Sequence, residues 1–482
     1  MQILKKTQSL CPECMKVIDA DIYEEGGVVY IGKNCEQHGR YDDIYWSDYE
    51  IFKKAEKYEC IGEGLEKPKT ESNKGCPYDC GICPSHKSQT VLSIIDVTNA
   101  CNLRCPICFA NSETAGYKYE PTQDQIREML RNLRSNRPVP PNSLQFSGGE
   151  PTMRDDLPDL IRMAKDEGFH HIEVNTNGIR ISKDPLFLKK LIDSGCSTFY
   201  LQFDGMTPEP YIAARGLNLF DTKLKAIENC RSAGLQSLVL VPTLVRGLND
   251  GQVGDIIRFA AKNFDVIRGI NFQPVSMAGR IDRQKLREMR ITIPDFLKLA
   301  EAQTNGQIKT TDFYPIPVVL PISKAVGALK GKHYQEFSNH QECGMATIVF
   351  PEGDSLVPIT KYADVDKFMA SMEGVREAAE KGSKTKAKMR LVGATRHVKF
   401  SLLGSLLSSV LLHADYSSLG EFMRKVLLIG CMHFMDPYNF DLERVKRCTI
   451  HYALPDGKVI PFCTMNSIHR QRLEKALSKP IQ

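Results

Sequence analysis

The chain of 482 residues lacks three features that would each assign it to a class of protein. It contains no run approaching the roughly 18 apolar residues that a membrane-spanning helix requires. Its first residues, MQILKKTQSLCPEC, lack the apolar core of a secretory signal. Its formal charge of +5 is small for its length, so nothing in the overall charge favours nucleic acid as a partner. We therefore expect a cytoplasmic protein that does not bind nucleic acid.

Cysteine, in contrast, is abundant, with 16 residues in the chain. A reducing cytosol keeps thiols reduced, so this number favours metal binding over disulfides. Cys196 and Cys230 lie in apparent helix-to-strand segments and are expected to be buried structural thiols. The others fall into groups that we interpret as metal ligands: Cys11, Cys14 and Cys35 with His38; Cys76, Cys80 and Cys83; Cys101, Cys105 and Cys108; and Cys343, Cys431, Cys448 and Cys463.

The middle of the chain alternates β-rich runs with amphipathic helical stretches. Six such runs occupy residues 90–98, 143–148, 171–178, 198–205, 236–245 and 269–276. One intervening helix places Ile126, Met129, Leu130 and Leu133 on one face. Six β/α units predict an α/β fold with a parallel sheet closed partway into a (β/α)6 barrel, whose functional residues lie at the C-terminal ends of the strands.

The triplet Cys101-x3-Cys105-x2-Cys108 follows the first predicted strand, and SGGEP at 147–151 follows the second. Three thiolates hold three irons of a [4Fe–4S] cluster and leave the fourth iron open for another ligand. With Phe109 after the third cysteine, the Gly148-Gly149-Glu150-Pro151 run and the partial barrel, the chain closely resembles the radical S-adenosylmethionine superfamily.

The resemblance implies that S-adenosylmethionine chelates the open iron and is cleaved, by one electron from a reductant such as ferredoxin, to methionine and a 5′-deoxyadenosyl radical. Phe109 would belong to the cofactor site, and Gly148, Gly149 and Glu150 would hold the methionine amine. Four polar residues at strand ends are further candidates for the carboxylate and ribose of the cofactor: Asn175, Asn177, Gln202 and Asp204.

The remaining cysteine groups predict further metal sites. The Cys76 triplet indicates an auxiliary [4Fe–4S] cluster whose fourth ligand is left open between Cys60 and His86, with zinc as the alternative metal. The four C-terminal cysteines predict a second auxiliary cluster, and an Asp456-Gly457 turn within a hairpin would bring Cys448 near Cys463. The N-terminal CPEC and CEQH segments have the spacing of a zinc ribbon or rubredoxin-like knuckle for one mononuclear Zn or Fe, with Cys60 as a competitor for the last ligand position.

The last third of the chain combines apolar stripes with a basic segment. Two helices are predicted to carry Leu402, Leu403, Leu406, Leu407, Val410 and Leu411, and then Phe422, Met423, Val426, Leu427 and Ile429. Lys384, Lys386, Lys388, Arg390 and Arg396 precede them. Such a stripe is common in protein cores, but beside basic residues it favours anionic lipid as a ligand and is compatible with peripheral membrane contact.

We accordingly divide the chain into a metal-binding knuckle (1–60), an auxiliary iron–sulfur segment (61–88), the barrel (89–290), and a lipid-binding and auxiliary-cluster domain (291–482). Over nearly its whole length the chain resembles the archaeal tetraether-lipid synthases of the class D radical S-adenosylmethionine methylases. That resemblance implies carbon–carbon coupling of phytanyl methyl groups, with an archaeal diether phospholipid as substrate. The alternative in the same superfamily is C-methylation of a pterin precursor of methanopterin, which predicts a small polar pocket and a second S-adenosylmethionine as methyl donor. A non-catalytic iron–sulfur carrier is disfavoured because it needs no SGGEP element.

Overall fold

The computed structural model describes residues 1–112, 116–279, 281, 288–399 and 416–478. The N-terminal part is an antiparallel four-stranded sheet in the order β1-β2-β3-β4. Its strands are β1 Gln2–Leu10, β2 Val17–Glu25, β3 Val28–Cys35 and β4 Gly39–Trp46. The β1-β2 and β3-β4 turns therefore lie at the same end of this sheet, and they carry the CPEC and CEQH segments.

The second sheet contains a run of six parallel strands in chain order, which confirms the predicted partial barrel. These strands are β5 Leu92–Thr98, β6 Ser143–Gly148, β7 His171–Thr176, β8 Thr198–Gln202, β9 Leu238–Val241 and β11 Ile267–Pro274, and the short β10 Thr243–Leu244 pairs with β11. Parallel neighbours require a crossover between them, and helices supply it at every step.

The helices follow the apolar periodicity of the sequence. Gln123–Arg134 begins at a capping box formed by Thr122 and Gln125 and buries Ile126, Met129, Leu130 and Leu133, as predicted. The other described helices span Tyr49–Glu56, Leu157–Asp166, Ile179–Lys183, Pro185–Asp193, Pro208–Arg215, Phe220–Ser232, Val253–Lys262, Ile293–Gln303, Leu320–Lys330, Val365–Glu380, Lys384–Ala394, Tyr416–Met423, Leu442–Lys446, Phe462–Thr464 and Arg470–Leu477.

The C-terminal third adds strands to both edges of the barrel sheet. These strands are β12 Tyr314–Pro315, β13 Gly344–Glu352, β14 Ser355–Pro358, β15 Leu427–Met432, β16 Ile450–Ala453 and β17 Val459–Pro461. β15 runs parallel to β11, and β16 runs parallel to β5. β16 and β17 form an antiparallel hairpin around the turn at Gly457, where φ is +85°.

The second apolar helix was predicted to continue from Phe422 to Ile429, and this prediction is wrong in its C-terminal half. The helix ends at Met423, and Leu427 and Ile429 belong to β15. β15 lies between β11 and β13, so its continuous apolar run is that of a strand buried on both faces. Phe422 packs into a buried cluster with Phe350 and Val426. The predicted stripe Leu402–Leu411 lies outside the described residues, and no helix among those described is long and apolar enough to cross a membrane.

The barrel strands alternate in polarity, because successive side chains of a strand point to opposite faces of the sheet. Apolar side chains of the outward face join one continuous core with the surrounding helices, among them Leu144, Phe146, Ile172, Val174, Phe199, Leu201, Ile270 and Phe272. The alternate positions are polar and point into the barrel: Gln145, Ser147, Glu173, Asn175, Tyr200, Gln202, Asn271 and Gln273. The barrel therefore has an apolar exterior and an interior that is polar along β6, β7, β8 and β11, whereas β9 contributes Val241 to the cavity lining.

Candidate active site and metal centres

The cysteine triplet at 101–108 lies in the loop that follows β5. Its three thiols line one cavity together with Gly148, Gly149 and Glu150. Burial raises the pKa of Cys101 to about 12, with further increases from Glu150, Cys105 and Cys108, although the Leu103 N–H donates to its sulfur at 3.4 Å. The thiolate form is therefore unfavourable in the protein alone, and a bound cation would stabilise it.

The two glycines after β6 fix the position of this loop. The Gly149 N–H donates to Thr98 O at 2.8 Å, and the Glu150 N–H donates to Ala100 O at 2.9 Å. A Cβ atom on Gly148 would lie 2.1 Å from Thr98 O, and Gly148 has a φ of +133°. Because of this close approach, the SGGEP segment holds the backbone that leads directly into Cys101, in addition to lining the cavity.

Glu150 joins the ends of two strands. Its buried carboxylate accepts hydrogen bonds from the Thr152 N–H and hydroxyl, from the Thr176 hydroxyl at 2.7 Å and from the Asn177 N–H at 2.7 Å. Burial raises the pKa of Glu150, while these hydrogen bonds oppose that increase. The carboxylate is thus a fixed acceptor beside the cysteine loop, as an ammonium ligand would require.

Asp204 was predicted to contact the cofactor, but it is not among the residues that line the cavity. It pairs instead with Arg215, a residue that the sequence interpretation missed. The Arg215 guanidinium donates to both Asp204 oxygens, at 2.7 and 2.8 Å, and to Ile107 O at 3.1 Å. Arg215 also lines the cavity, and its charge lowers the pKa of Cys105 against the larger effect of burial. It is therefore a buried cation placed beside the cysteine triplet.

Lys223 is a second buried cation that the sequence interpretation missed. Its ammonium group donates to Asn177 O at 2.5 Å and to the Gln202 side-chain oxygen at 2.6 Å, and the Gln202 amide in turn donates to Asp204. Burial lowers the pKa of Lys223 to about 7. Gln202 lines the cavity, and its hydrogen bond with Lys223 fixes the orientation of the Gln202 side chain.

Three other predicted residues line the same cavity: Phe109, Asn175 and Asn177. Asn177 donates to the Asn102 side-chain oxygen at 2.6 Å, which ties the end of β7 to the cysteine loop. Asn175 donates to the Ser147 hydroxyl at 3.4 Å. Phe109 contacts the ring of Phe462 with centroids 6.0 Å apart. The structure thus brings together the triplet, the SGGEP segment and every predicted cofactor residue except Asp204.

Deeper in the cavity, polar side chains of the barrel interior bond to one another. Gln145 donates to Glu173 at 3.0 Å, and the Tyr200 hydroxyl accepts from Asn271 and from Gln273 at 3.4 Å. The lining also includes the aromatic side chains of Phe434, Tyr452 and Phe462. The cavity thus combines hydrogen-bonding groups with aromatic surface.

At the N-terminus the structure brings Cys11, Cys14, Cys35 and His38 together, with ligand atoms all within 4.8 Å of one another. The sulfurs of Cys14 and Cys35 lie 3.9 Å apart, and His38 Nδ1 lies 3.5 Å from the sulfurs of Cys11 and Cys35. Tetrahedral zinc with ordinary bond lengths separates two sulfurs by about 3.8 Å and a sulfur from a nitrogen by about 3.6 Å. The donor set therefore fits one zinc ion, and Cys60 takes no part in it.

The second triplet lines a shallow depression in which Cys76, Cys80 and Cys83 are neighbours. Of the two candidates for its fourth ligand, His86 lines the same depression and Cys60 does not. His86 Nε2 is hydrogen-bonded to Cys448 O at 2.8 Å. The charged groups that influence the pKa of the Cys60 thiol are Arg447, Lys324, Glu336 and Glu59, and no cysteine of the triplet is among them.

Three of the four C-terminal cysteines come together. Burial raises the pKa of Cys448, and neighbouring Cys463 and Cys343 raise it further. Cys431 is separate from them: it lies on β15 opposite Met345 and belongs to the main hydrophobic core. The four-cysteine set expected from the sequence is therefore reduced to three by the folding of β15.

Comparisons with known proteins agree with this architecture. Residues 95–260 match the family described as the Radical SAM superfamily, and residues 3–47 match the HMPTM N-terminal zinc ribbon domain. The chain is 51% identical over 491 residues to the 7,8-dihydro-6-hydroxymethylpterin dimethyltransferase of Methanocaldococcus jannaschii, a match that covers 99% of this chain and 96% of that protein.

Two weaker similarities involve smaller parts of the chain. The GTP 3′,8-cyclase of Clostridium acetobutylicum is 24% identical over 226 residues, covering 46% of this chain and 68% of that protein. The crystal structure of Streptococcus suis SuiB bound to the precursor peptide SuiA has a TM-score of 0.37 and 18% sequence identity, covering 46% of each chain.

The Methanocaldococcus relative overturns the expected resemblance to tetraether-lipid synthases. Coupling of phytanyl chains is therefore wrong as the function, and so is a diether phospholipid as the partner. The structure supplies a physical reason for part of the expected lipid stripe, since Leu427 and Ile429 are packed in the protein's own core. Peripheral membrane contact has no support in the described residues. The chain belongs to the radical S-adenosylmethionine superfamily, in the family of the Methanocaldococcus jannaschii 7,8-dihydro-6-hydroxymethylpterin dimethyltransferase.

Proposed function

We propose that this chain is a radical S-adenosylmethionine C-methyltransferase that acts on a reduced 6-hydroxymethylpterin. The observation that carries the proposal is the 51% identity, over 99% of the chain, to a relative that is named for methylating this pterin. The reaction would replace a hydrogen on a carbon of the substrate by a methyl group. One S-adenosylmethionine, cleaved with one electron, would remove the hydrogen as 5′-deoxyadenosine, and a second would donate the methyl group and leave as S-adenosylhomocysteine, with one further electron from the reductant.

Cys101, Cys105 and Cys108 would hold a [4Fe–4S] cluster, and S-adenosylmethionine would bind beside it. Glu150 and Arg215 both line the cavity; Glu150 would accept from the methionine ammonium group, and Arg215 would donate to its carboxylate. Asn175, Asn177 and Gln202 offer amide groups to the rest of the cofactor. When bound and reduced by one electron, the cluster and cofactor supply a radical that abstracts hydrogen from carbon.

The interior of the barrel supports a pterin as the substrate. A pterin is a planar heteroaromatic ring with donors and acceptors along its edges, so it requires polar partners in its plane and apolar contact on its faces. Gln145, Tyr200 and Gln273 offer amide and hydroxyl groups on the floor of the cavity. Phe434 and Phe462 offer aromatic surface in the same cavity.

The other cysteine groups support additional metal centres. We assign one zinc ion to Cys11, Cys14, Cys35 and His38, whose distances match tetrahedral coordination. The Cys76 triplet and the three C-terminal cysteines have the thiol donors of iron–sulfur clusters. Each thiolate of a [4Fe–4S] cluster binds a different iron, so these sulfurs need not be as close as the four ligands of one zinc ion.

The proposal is tested with anaerobically reconstituted protein, a reductant, S-adenosylmethionine and 7,8-dihydro-6-hydroxymethylpterin. We expect 5′-deoxyadenosine and a pterin whose mass increases by one CH₂ for each methyl group added. Gln273→Leu should weaken the response to pterin while leaving slow pterin-independent cleavage of the cofactor unchanged. Gln236→Leu, at an exposed glutamine before β9, is the matched control.

Mass spectrometry of ligands extracted from the purified protein provides an independent readout. A pterin among these ligands would support the proposal. A long-chain lipid in its place, together with unmodified pterin in the assay, would contradict it.

A further inference from the structure

His433 is a buried histidine that no part of the proposed reaction uses. Its side chain is 2% exposed, and neither of its ring nitrogens has a hydrogen-bond partner among the described residues. A buried polar group without a partner costs free energy and is uncommon in folded proteins. A neutral imidazole has a lone pair available to a metal, and a metal would give this ring the partner that it lacks.

The sheet places His433 opposite Cys343. β13 and β15 pair in antiparallel register, with Gly344 opposite Met432. One residue beyond this pair, the His433 N–H donates to Cys343 O at 3.1 Å. Directly opposite residues in an antiparallel pair project their side chains on the same side, with Cβ atoms about 5 Å apart. The imidazole therefore lies on the same side as the Cys343 thiol.

A shared set of charged neighbours places Cys463 in the same region. The N–H of Met435, two residues beyond His433, donates to the Cys463 sulfur at 3.4 Å, and Arg444, Cys343 and Asp436 are close enough to Cys463 to interact with it electrostatically. Arg444 and Asp436 are also the charged neighbours of His433, together with Arg290. Arg444 donates to His433 O at 2.8 Å, and its Nε lacks a partner among the described residues. The environment thus contains three thiols, one imidazole and a buried cation that offsets negative charge.

We propose that His433, and not Cys431, is the fourth protein ligand of an iron–sulfur cluster held by Cys343, Cys448 and Cys463. The inference rests on the auxiliary cluster assigned under the proposed function, but not on the identity of the substrate. An imidazole in place of a thiolate removes one negative charge from the cluster, and this substitution raises reduction potentials in other histidine-ligated clusters. Arg444 acts in the same direction because its positive charge favours the more negative, reduced state.

The test requires neither pterin nor S-adenosylmethionine. The full chain is produced with ¹⁵N-histidine, reconstituted with iron and sulfide, reduced with dithionite and examined by pulsed electron paramagnetic resonance. We expect a strongly coupled ¹⁵N nucleus that is absent from His433→Ala. His433→Cys should retain the iron content of the native chain and shift the cluster to a lower reduction potential.

Two variants serve as matched controls. His86→Gln removes another buried histidine near these cysteines, one whose ring is already hydrogen-bonded, and it should keep the ¹⁵N coupling. Cys431→Ser should keep the full iron content. If His433→Ala does not fold, the ¹⁵N spectrum of the native chain and the iron content of Cys431→Ser decide the matter.

Three results would overturn the assignment. One is a native spectrum without strong ¹⁵N coupling, and another is a coupling that persists in His433→Ala. The third is loss of one cluster's iron in Cys431→Ser. Each is independent of pterin methylation, so failure of this inference and failure of the proposed function are separately observable.

Discussion

Replacing Gly149 with alanine places a Cβ atom 2.3 Å from Ala100 O and 2.7 Å from Asn99 O. The first distance is about 1 Å inside an ordinary van der Waals contact. Both obstructing atoms belong to the backbone, so the cysteine loop must move as a unit. The movement would break the hydrogen bonds from Gly149 to Thr98 and from Glu150 to Ala100.

Loss of two buried backbone hydrogen bonds predicts destabilisation of about 2–4 kcal/mol. A displacement of about 1 Å at Cys101 predicts a roughly 100-fold slower cleavage of S-adenosylmethionine. Chemical denaturation and the rate of 5′-deoxyadenosine formation measure the two effects. The matched control is Gly251→Ala, where a Cβ atom meets nothing within 4 Å. If Gly149→Ala kept native stability and a rate within a few-fold of the native value, the argument from loop position would be refuted.

Three further predictions concern the same site. Cys105→Ala should abolish 5′-deoxyadenosine formation, because two thiolates are too few to hold the cluster. The product is measured by liquid chromatography, and its continued formation by this variant would contradict the ligand assignment. Arg215→Ala should cost about 3–5 kcal/mol in denaturation experiments because Asp204 remains buried without its partner, whereas the exposed Arg40→Ala should cost about 0–1 kcal/mol. Because burial lowers the pKa of Lys223 from 10.5 to about 7, the unfolded chain binds more protons than the folded chain between these values, so this group makes stability rise with pH across that window. Lys223→Met should remove this contribution; parallel curves of unfolding free energy against pH for variant and native chains would contradict it.

The barrel could be predicted from the sequence because each of its strands is identified by the residue pattern of a short segment. β-rich runs separated by amphipathic helices specify parallel strands with crossovers. Five of the six runs contain the observed strand, and the sixth overlaps β11, which begins two residues earlier than predicted. β15 could not be recognised in the same way. Its apolar run follows closely after the helix Tyr416–Met423, so the local pattern does not distinguish helix from strand. The segment forms a strand because it pairs with β11 and β13, which are distant in sequence.

The candidate site was predictable where chemistry depends on cysteine and glycine. Arg215 and Lys223 were missed because a cation on an amphipathic helix is ordinarily solvent-exposed. Only the folded barrel shows that Lys223 is fully buried and that the Arg215 side chain is 10% exposed. The polar floor did leave a signal, since Gln145, Tyr200 and Gln273 occupy polar positions within apolar strands with a period of two. The substrate could not be inferred from apolar stripes, because such stripes report burial and do not distinguish a lipid from the protein's own core.

The most direct test of the account follows hydrogen from the substrate to the cofactor. 7,8-Dihydro-6-hydroxymethylpterin carrying deuterium at its non-exchangeable carbon positions is incubated with the reconstituted chain, reductant and S-adenosylmethionine, and both products are analysed by mass spectrometry. We predict deuterium in 5′-deoxyadenosine and a methylated pterin that has lost deuterium at the reacting carbon. Unlabelled 5′-deoxyadenosine with unmodified pterin, under conditions in which another substrate is turned over, would contradict the proposal that this chain methylates a pterin.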